Sequence, residues 1–454
     1  MAREKSVAVV GGGFVGLSTA LLLRRAGHAV TLIEAAKGGA LSASHGNAGT
    51  FAPYACVHIN RPGLVWDVPR MLASSTGPLS LVASPHLLRM LPWFGLFLRH
   101  CRPDKVRASS QALGSLLAPA EAAYDSVWTA AGVHVDEPMG RFASGASSAA
   151  SLPFSARHGY LLLQKTEAMM KASQGAAQTR RECVPGLRME ALTTAEVLEL
   201  EPNLSPAAAA GGAWFFPDGW FLREPGALLR ALASGFEEAG GEARYGARAT
   251  ALRPQHDSVA IELDGDGGSV VVDEVVVAGG AHSCALAASI GDWIPLDTER
   301  GYHVEWEEGS EAVFTRAVCD PSQGYISSPM SGGLRSAGLV ELGGTGAGPT
   351  PVRYRQLEEA TRSMLNPSAA AKLGPRVKTA DWLGFRPTMP DALPVIGRSL
   401  RAPRVVYAFG HQHIGWTLGG ITGQLVTELI DGREPSVDLR PFRPDRFSLA
   451  SLVK

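Results

Sequence analysis

The stretch "VAVVGGGFVGLSTALLLRRAGHAVTLIEA", Val7 to Ala35, decides how the rest of the chain is read. Val7–Val10 is a short apolar run, as in a strand buried on both faces, and it leads into three glycines. A helix is expected over Leu17–Ala26 with Gly27 as its C-cap, then a second strand over Ala29–Ile33 that ends on Glu34. Gly11-x-Gly13-x-x-Gly16 makes the strand-to-helix turn. Gly11 permits the tight turn, Gly13 leaves room for backbone beside a pyrophosphate, and Gly16 lets the helix pack closely on the strand. Free N–H groups and a partial positive charge at the helix start favour an anion there. Glu34 follows Gly16 by 18 residues, where a carboxylate can accept both hydroxyls of a ribose. The whole unit points to a bound dinucleotide. An acid at position 34 argues against a 2′-phosphate and leaves FAD or NAD.

A competing reading is a secretory signal, because Arg3 and Lys5 precede an uncharged run from Ser6 to Leu23. That run is too rich in glycine for a good membrane helix, lacks a small-residue cleavage site before Arg24-Arg25, and leads into another strand. No other uncharged run approaches the roughly 20 residues a membrane span needs. A chain of 454 residues can hold two or three domains, and 45% hydrophobic with 19% charged residues suits a soluble globular protein. The net charge of −1 supplies no basic field for nucleic acid. The five cysteines (Cys56, Cys101, Cys183, Cys284, Cys319) are odd in number, widely spaced and without CxxC. They read as free thiols, buried as small hydrophobes, in a reducing cytoplasmic setting. No His/Asp/Glu cluster has metal-ligand spacing, so no metal is expected.

Elements come in discontinuous groups. Gly226–Ala239 reads as an amphipathic helix capped by Gly240-Gly241, with strands over Arg244–Leu252, Val259–Leu263 and Val270–Val277, the last running into Ala278-Gly279-Gly280. Between Gly301 and Gly344 the pattern turns to alternating, aromatic-bearing strands of an antiparallel sheet. Strand, glycine turn and helix return at Val405–Phe409 and "GHQHIGWTLGGITGQLVTELIDG". The fold class expected is α/β: a Rossmann-type nucleotide domain built from separated segments, with an inserted, mainly antiparallel substrate domain. Residues 1–60, 225–290 and 380–454 are assigned to the first, 61–224 and 291–379 to the second.

Four stretches carry a family resemblance: the N-terminal unit, "SHGNAGTFAPYA" from Ser44, "GFRPTMPDALPVIG" from Gly384 and "GHQHIGWTLGGITGQLV" from Gly410. The chain resembles the glutathione-reductase-type flavoproteins that include D-amino-acid oxidases, glycine and sarcosine oxidases and bacterial D-amino-acid dehydrogenases, and is most similar to the dehydrogenases. The motifs span nearly the whole chain in the right order, and the last two are far more specific than the glycine turn. Two departures stand out. "WFLREP" (Trp220–Pro225) lacks the usual Asp-Pro, and His58-Ile59-Asn60 after Tyr54-Ala55 implies a different pocket lining.

The resemblance implies FAD, contacted by Gly11, Gly13, Phe14, Val15 and Gly16 of the turn and by Glu34-Ala35. It further implies Ser44 near the pyrophosphate, Asn47-Ala48-Gly49 past the flavin, Ala249 at the adenine and Ala278-Gly279 as a second glycine turn. Gly415-Trp416-Thr417 would open a helix whose free N–H groups stabilise the reduced ring. Relatives that link FAD through cysteine carry it in the stretch matching Arg386–Asp391; this chain has no cysteine after Cys319, which implies non-covalent FAD. Arg386 is the candidate clamp for a substrate carboxylate, because its planar fork binds both oxygens; the alternative is a pair with Asp391. Tyr302 is a second candidate for the same carboxylate, with His303 alternating to the other face of the strand. Arg335 reads as structural. His413 borders the flavin turn with His411 and is counted a site residue, though neither is read as a base, since solvent can take the proton of the substrate's ammonium.

The activity implied is oxidation of a small D-amino acid or cyclic imino acid, such as D-proline or D-hydroxyproline, with electrons passed to a quinone or other carrier. An oxygen-using glycine or sarcosine-type oxidase is the alternative within the family. Outside it stand an NAD dehydrogenase, whose pure protein would be colourless, and a non-catalytic electron-transfer flavoprotein. "SPHLLRMLPWFGLFLRHCRPDKVR" (Ser84–Arg107) is apolar and aromatic with a basic fringe. It reads either as a domain-packing helix or as a peripheral contact with the inner face of the cytoplasmic membrane.

Overall fold

A computed structural model describes residues 3–37, 43–64, 77–133, 155–156 and 158–448, with the backbone alone at Asp266. Residues 65–76 and 134–154, part of the segment assigned to substrate binding, lie outside the described residues. Strand Ser6–Val10 sits inside a six-stranded sheet of spatial order Glu242–Tyr245, Ala29–Glu34, Ser6–Val10, Glu274–Val277, Val405–Phe409, Val395–Arg398. All neighbours in it run parallel except the last pair. Val7, Ala8 and Val9 are wholly buried, which is why their stretch reads as an unbroken apolar run.

The first helix is Phe14–Arg25, beginning one turn earlier than expected, and Gly27 takes a φ of +93° just beyond it. It lies against the last long helix, Gly415–Asp431. Contact is made at glycines: a Cβ on Gly419 would run into the Phe14 ring, and one on Gly423 would press on the Ser18 backbone at 3.0 Å. Helix Pro225–Glu238 starts on a proline, where the missing N–H costs nothing, and Gly240 follows it at a φ of +82°.

Two expected strands divide. Arg244–Leu252 breaks at Gly246 (φ +71°) into Glu242–Tyr245 of the large parallel sheet and Ala249–Pro254 of a separate three-stranded antiparallel sheet. Val270–Val277 breaks at Asp273, whose carboxylate accepts both the backbone N–H and the hydroxyl of Ser6. Ser269–Val272 joins the small sheet and Glu274–Val277 the large one.

A third sheet has nine strands among the described residues, mainly antiparallel, with Trp382–Thr388, Asp297–Glu305 and Gly333–Leu342 adjacent at one end; a fourth, small one pairs Trp220–Leu222 with Thr50–Phe51 and Ser155–Ala156. Helix Pro351–Met364 covers one face, with Tyr354 and Leu357 packed among Tyr302, Val304 and Trp306. Strand Trp382–Thr388 comes from the segment assigned to the nucleotide domain. Helices Pro103–Leu117 and Ala120–Ala131, from the segment assigned to substrate binding, share a core with helix Phe14–Arg25.

The apolar Ser84–Arg107 stretch folds as His86–Arg89, Leu91–His100 and the start of Pro103–Leu117. Trp93 and Phe97 are buried, and Trp93 donates its indole N–H to the Thr388 carbonyl. Leu88, Leu91 and Leu98 face outward, 70%, 61% and 44% exposed. No helix among the described residues is long and apolar enough to cross a membrane.

Candidate active site

One cleft of about 720 Å³ runs from the glycine turn of the parallel sheet to the end of the nine-stranded sheet, within the roughly 300–1,000 Å³ typical of small-molecule sites. At one end lie Gly11, Gly13, Phe14, Val15, Glu34 and Ala35. Gly11 has a φ of +112°, and a Cβ there would sit 2.5 Å from the Ala278 carbonyl oxygen. The turn of Ala278 and Gly279 is therefore in direct contact with the first, and both border the cleft. Gly16 is not on the cleft wall: a Cβ on it would strike the Gly11 carbonyl, so it supports the turn from behind.

Glu34 accepts the Gly12 N–H at 2.6 Å and the Ala36 N–H at 2.8 Å, which aims its carboxylate at the turn. Ser44 accepts the Phe14 N–H at 3.1 Å, at the start of the first helix, and its carbonyl accepts the Trp416 indole N–H. Trp416 stacks on Phe14 with ring centroids 4.0 Å apart. These contacts gather the Ser44 loop, the first helix and the last helix into one corner of the cleft, which Asn47, Ala48 and Gly415 also border.

Besides Gly16, three residues expected at the cofactor are not on the cleft wall. Gly49 packs on Leu222, Thr417 is wholly buried with its hydroxyl taken by the Ala52 N–H, and Ala249 is off the cleft. The neighbouring Arg248 lines it instead, because the strand begins later than the sequence pattern suggests.

At the other end, Arg386 projects from Trp382–Thr388 and lies across Gly301, where any Cβ would collide with the guanidinium. It donates to the carbonyls of Leu339 (2.7 Å) and Gly338 (3.2 Å). A guanidinium has five N–H donors, so several remain for a ligand in the cleft. Burial pushes the Arg386 pKa down and Glu299 pulls it back up. Asp391 pairs with Arg446, not with Arg386.

Tyr302 also borders the cleft, but its hydroxyl is committed elsewhere. Its hydroxyl donates to Glu341 at 2.5 Å and accepts from the Thr350 N–H, within a buried network that includes Arg300 and Arg353. His303 takes the side toward the Ser44 loop. It stacks on Trp382, with one ring nitrogen 2.8 Å from the Gly46 carbonyl. Burial, then Arg335, pushes its pKa down to about 4, so the ring is neutral. A bulge between Arg300 and Tyr302 accompanies this choice of faces. Arg335 pairs with Glu305 and donates to the Asn47 carbonyl, which fixes the loop.

His413 opens onto the cleft, where the enclosing walls, then Arg386 and His58, push its pKa down. His411 is buried against Thr422, with its pKa lowered to about 3 by burial. Cys319 also lines the cleft; burial holds it as a thiol with a pKa of about 12. Cleft-lining residues that sequence reasoning did not single out include Glu299, Gly301, Trp382 and Arg248. Only Gly301, next to the aromatic Tyr302-His303, carried a local signal.

The crowded glycine turn, the carboxylate beside it and the helix start fit a dinucleotide flavin, and a family model described as FAD dependent oxidoreductase matches residues 6–429. The chain belongs to that family. The D-amino-acid oxidase of Bradyrhizobium diazoefficiens is 32% identical over 98% of this chain and 100% of its own length. The D-amino acid dehydrogenase of Cereibacter sphaeroides is 27% identical over 97% and 95%. Glycine oxidase from Geobacillus kaustophilus has the same fold, with a TM-score of 0.69 at 22% identity over 98% and 99% of the two chains. The cofactor of this oxidoreductase is FAD.

Proposed function

We propose that this FAD-dependent oxidoreductase oxidises a small D-amino acid or cyclic imino acid, D-proline and D-hydroxyproline among the candidates, to its imine. Water then converts the imine of a primary amine to a 2-oxo acid and ammonia. The observation that carries this reading is the continuity of the cleft: the Glu34 carboxylate and the Arg386 guanidinium line the two ends of one space. Bound non-covalently, FAD supplies a two-electron acceptor at its ring nitrogen N5. Glu34 holds the adenosine ribose, the first helix start and Ser44 meet the pyrophosphate, and Gly415 and the helix behind it face the reduced ring's charge. Arg386 binds the substrate carboxylate in a planar fork, while Trp382 and His413 wall the space beside it. The parallel sheet (1–60, 225–290, 380–454) serves the cofactor and the nine-stranded sheet (61–224, 291–379) the substrate, with strand Trp382–Thr388 lent to the second.

The electrons pass to a quinone or similar carrier, and Leu88, Leu91 and Leu98 form the contact with the inner face of the cytoplasmic membrane. Oxygen is the second reading, favoured by the oxidase name of the relative at 32% identity. Anaerobic mixing with a panel of D-amino acids, D-proline and D-hydroxyproline tests the activity by bleaching of the flavin. A flavin that stays yellow with every member overturns the reading. Reoxidation of the bleached enzyme separates the acceptors: fast with a quinone analogue and slow in air supports the first, rapid peroxide release the second.

A further inference from the structure

The wall beside Arg386 carries a charged group that no role above uses. Glu299 stands directly opposite Arg386 in the ladder between Asp297–Glu305 and Trp382–Thr388, so the two side chains leave the sheet on one face. Both line the cleft. Glu299 is 4% exposed, and its Oε1 is shut from solvent with no hydrogen-bond partner among the described residues. The other buried glutamates are met: Glu341 by Arg300 and Tyr302, Glu201 by Arg316 and Thr315, Glu274 by Lys5 and Arg398, Glu428 by Ser436 and Gln424. Glu299 is the exception among the described residues, and the exception faces the cleft.

Its own neighbour does not resolve this. Arg386 reaches away across Gly301 to the Gly338 and Leu339 carbonyls. Burial raises the Glu299 pKa and the charge of Arg386 opposes the rise, so the carboxylate is placed to accept a proton readily. An α-amino acid carries its carboxylate and its nitrogen on the same carbon. A clamp for the first and an acceptor for the second must therefore be neighbours, as these two cross-strand residues are.

We propose that Glu299 receives the amino end of the substrate: it accepts a hydrogen bond from the α-ammonium and takes its proton before oxidation. This rests on the reading of Arg386 as the carboxylate clamp. One N–H bond of the ammonium breaks and its electron pair stays on nitrogen. The proton goes to the Glu299 carboxylate, which becomes a neutral acid suited to its buried site. The freed lone pair forms the C=N bond as the Cα hydrogen leaves as hydride, so the substrate loses two electrons and FAD gains them. The acid returns its proton to water through the cleft. Solvent is then the final, not the first, proton acceptor.

Glu299→Gln keeps the shape and removes the basicity. Two measurements on the holoenzyme test the role. The first is binding at neutral pH of α-aminoisobutyrate, which has no α-hydrogen and cannot be oxidised, against isobutyrate, which has no nitrogen. The variant should weaken the first at least ~10-fold, as for a lost hydrogen bond to a charged group, and leave the second nearly unchanged. The second is the anaerobic rate of flavin reduction against pH. The variant should be slow at neutral pH and approach the wild-type rate as the free amine deprotonates unaided, while Glu299→Asp should recover much of the neutral rate. Equal weakening of both ligands with a deficit that does not change with pH would make Glu299 a support for Arg386 and overturn the proposal. So would an unaltered variant, or a failure of both variants to fold. If the wild type binds neither ligand and no amino or imino acid reduces it, the functional reading falls and takes the proposal with it. A wild type that is reduced, beside an indifferent variant, sinks this inference alone.

Discussion

The Glu34 carboxylate accepts the Gly12 amide hydrogen at 2.6 Å, so the acid that ends the second strand is tied to the glycine turn that follows the first. The tie places an acceptor at the turn and fixes its direction.

Glu34→Arg should therefore yield largely colourless protein. Arginine has donors only and leaves the Gly12 and Ala36 N–H groups without their partner. The ratio of flavin to protein absorbance after gel filtration checks this, and full occupancy would contradict the assignment.

Gly16→Val should also release the cofactor, through packing and not through a lost contact. The added side chain strikes the Gly11 carbonyl and must push the first helix away from the strand. Overpacking of this kind costs roughly 1–3 kcal/mol. A lower melting temperature together with lost flavin is expected, and a normal flavin spectrum would show that the turn tolerates the shift.

Arg386→Ala should lower kcat/KM for an amino acid at least ~30-fold, the low end of the ~2–5 kcal/mol for truncating one partner of a buried charge pair. Flavin content should hardly change, because Arg386 lies at the end of the cleft away from Glu34. Steady-state kinetics with a substrate lacking the carboxylate provide the control. An equal loss there would mark the arginine as structural.

Ser at Leu88, Leu91 and Leu98 should reduce binding to anionic vesicles and spare dye-coupled turnover, since all three face outward beside Arg89 and Arg99. Trp93→Ser should act differently and destabilise the protein by roughly 3–5 kcal/mol. Its ring is buried and its N–H holds the Thr388 carbonyl, two residues from Arg386. Vesicle co-sedimentation separates the two effects. A wild type that ignores vesicles ends the membrane reading.

Acid should weaken the fold through His411. Burial lowers its pKa to about 3 in the folded protein, against about 6.5 unfolded. Below about pH 6.5 the unfolded chain binds the extra proton first, so stability falls as pH drops from there toward 3, by up to about 1.4 kcal/mol per unit for this group. Urea midpoints at pH 7 and pH 5 should differ less in His411→Gln than in the wild type. Identical slopes would mean that His411 titrates freely when folded.

The sequence made the cofactor end of the cleft legible because its parts are local: Gly11, Gly13 and Glu34 lie within one strand–turn–helix–strand unit. Arg386 was singled out because it sits in a specific motif, and the structure puts it on the cleft wall. Tyr302 and His303 show what alternation leaves open: the two leave the strand on opposite sides, Tyr302 bordering the cleft with its hydroxyl bound to Glu341 and His303 stacked on Trp382, and a bulge lies just before Tyr302. The aromatic helix left its facing open in the same way; Trp93 is buried and Leu91 exposed. Glu299 and Trp382 join the site only through strand pairing between distant segments, and no local pattern announces that.

The glycine contact between helix Phe14–Arg25 and helix Gly415–Asp431 has a consequence for the order of folding. The nucleotide corner joins segments roughly 400 residues apart: strand Val405–Phe409 must find Glu274–Val277 before the parallel sheet is whole, and Trp416 must arrive from the same distant segment before it can cover Phe14. Contacts of such long range carry the cost of closing a long loop and form slowly. The glycine turn is therefore expected to stay open on one side until that loop closes, which makes the flavin corner a late event in the assembly of the fold.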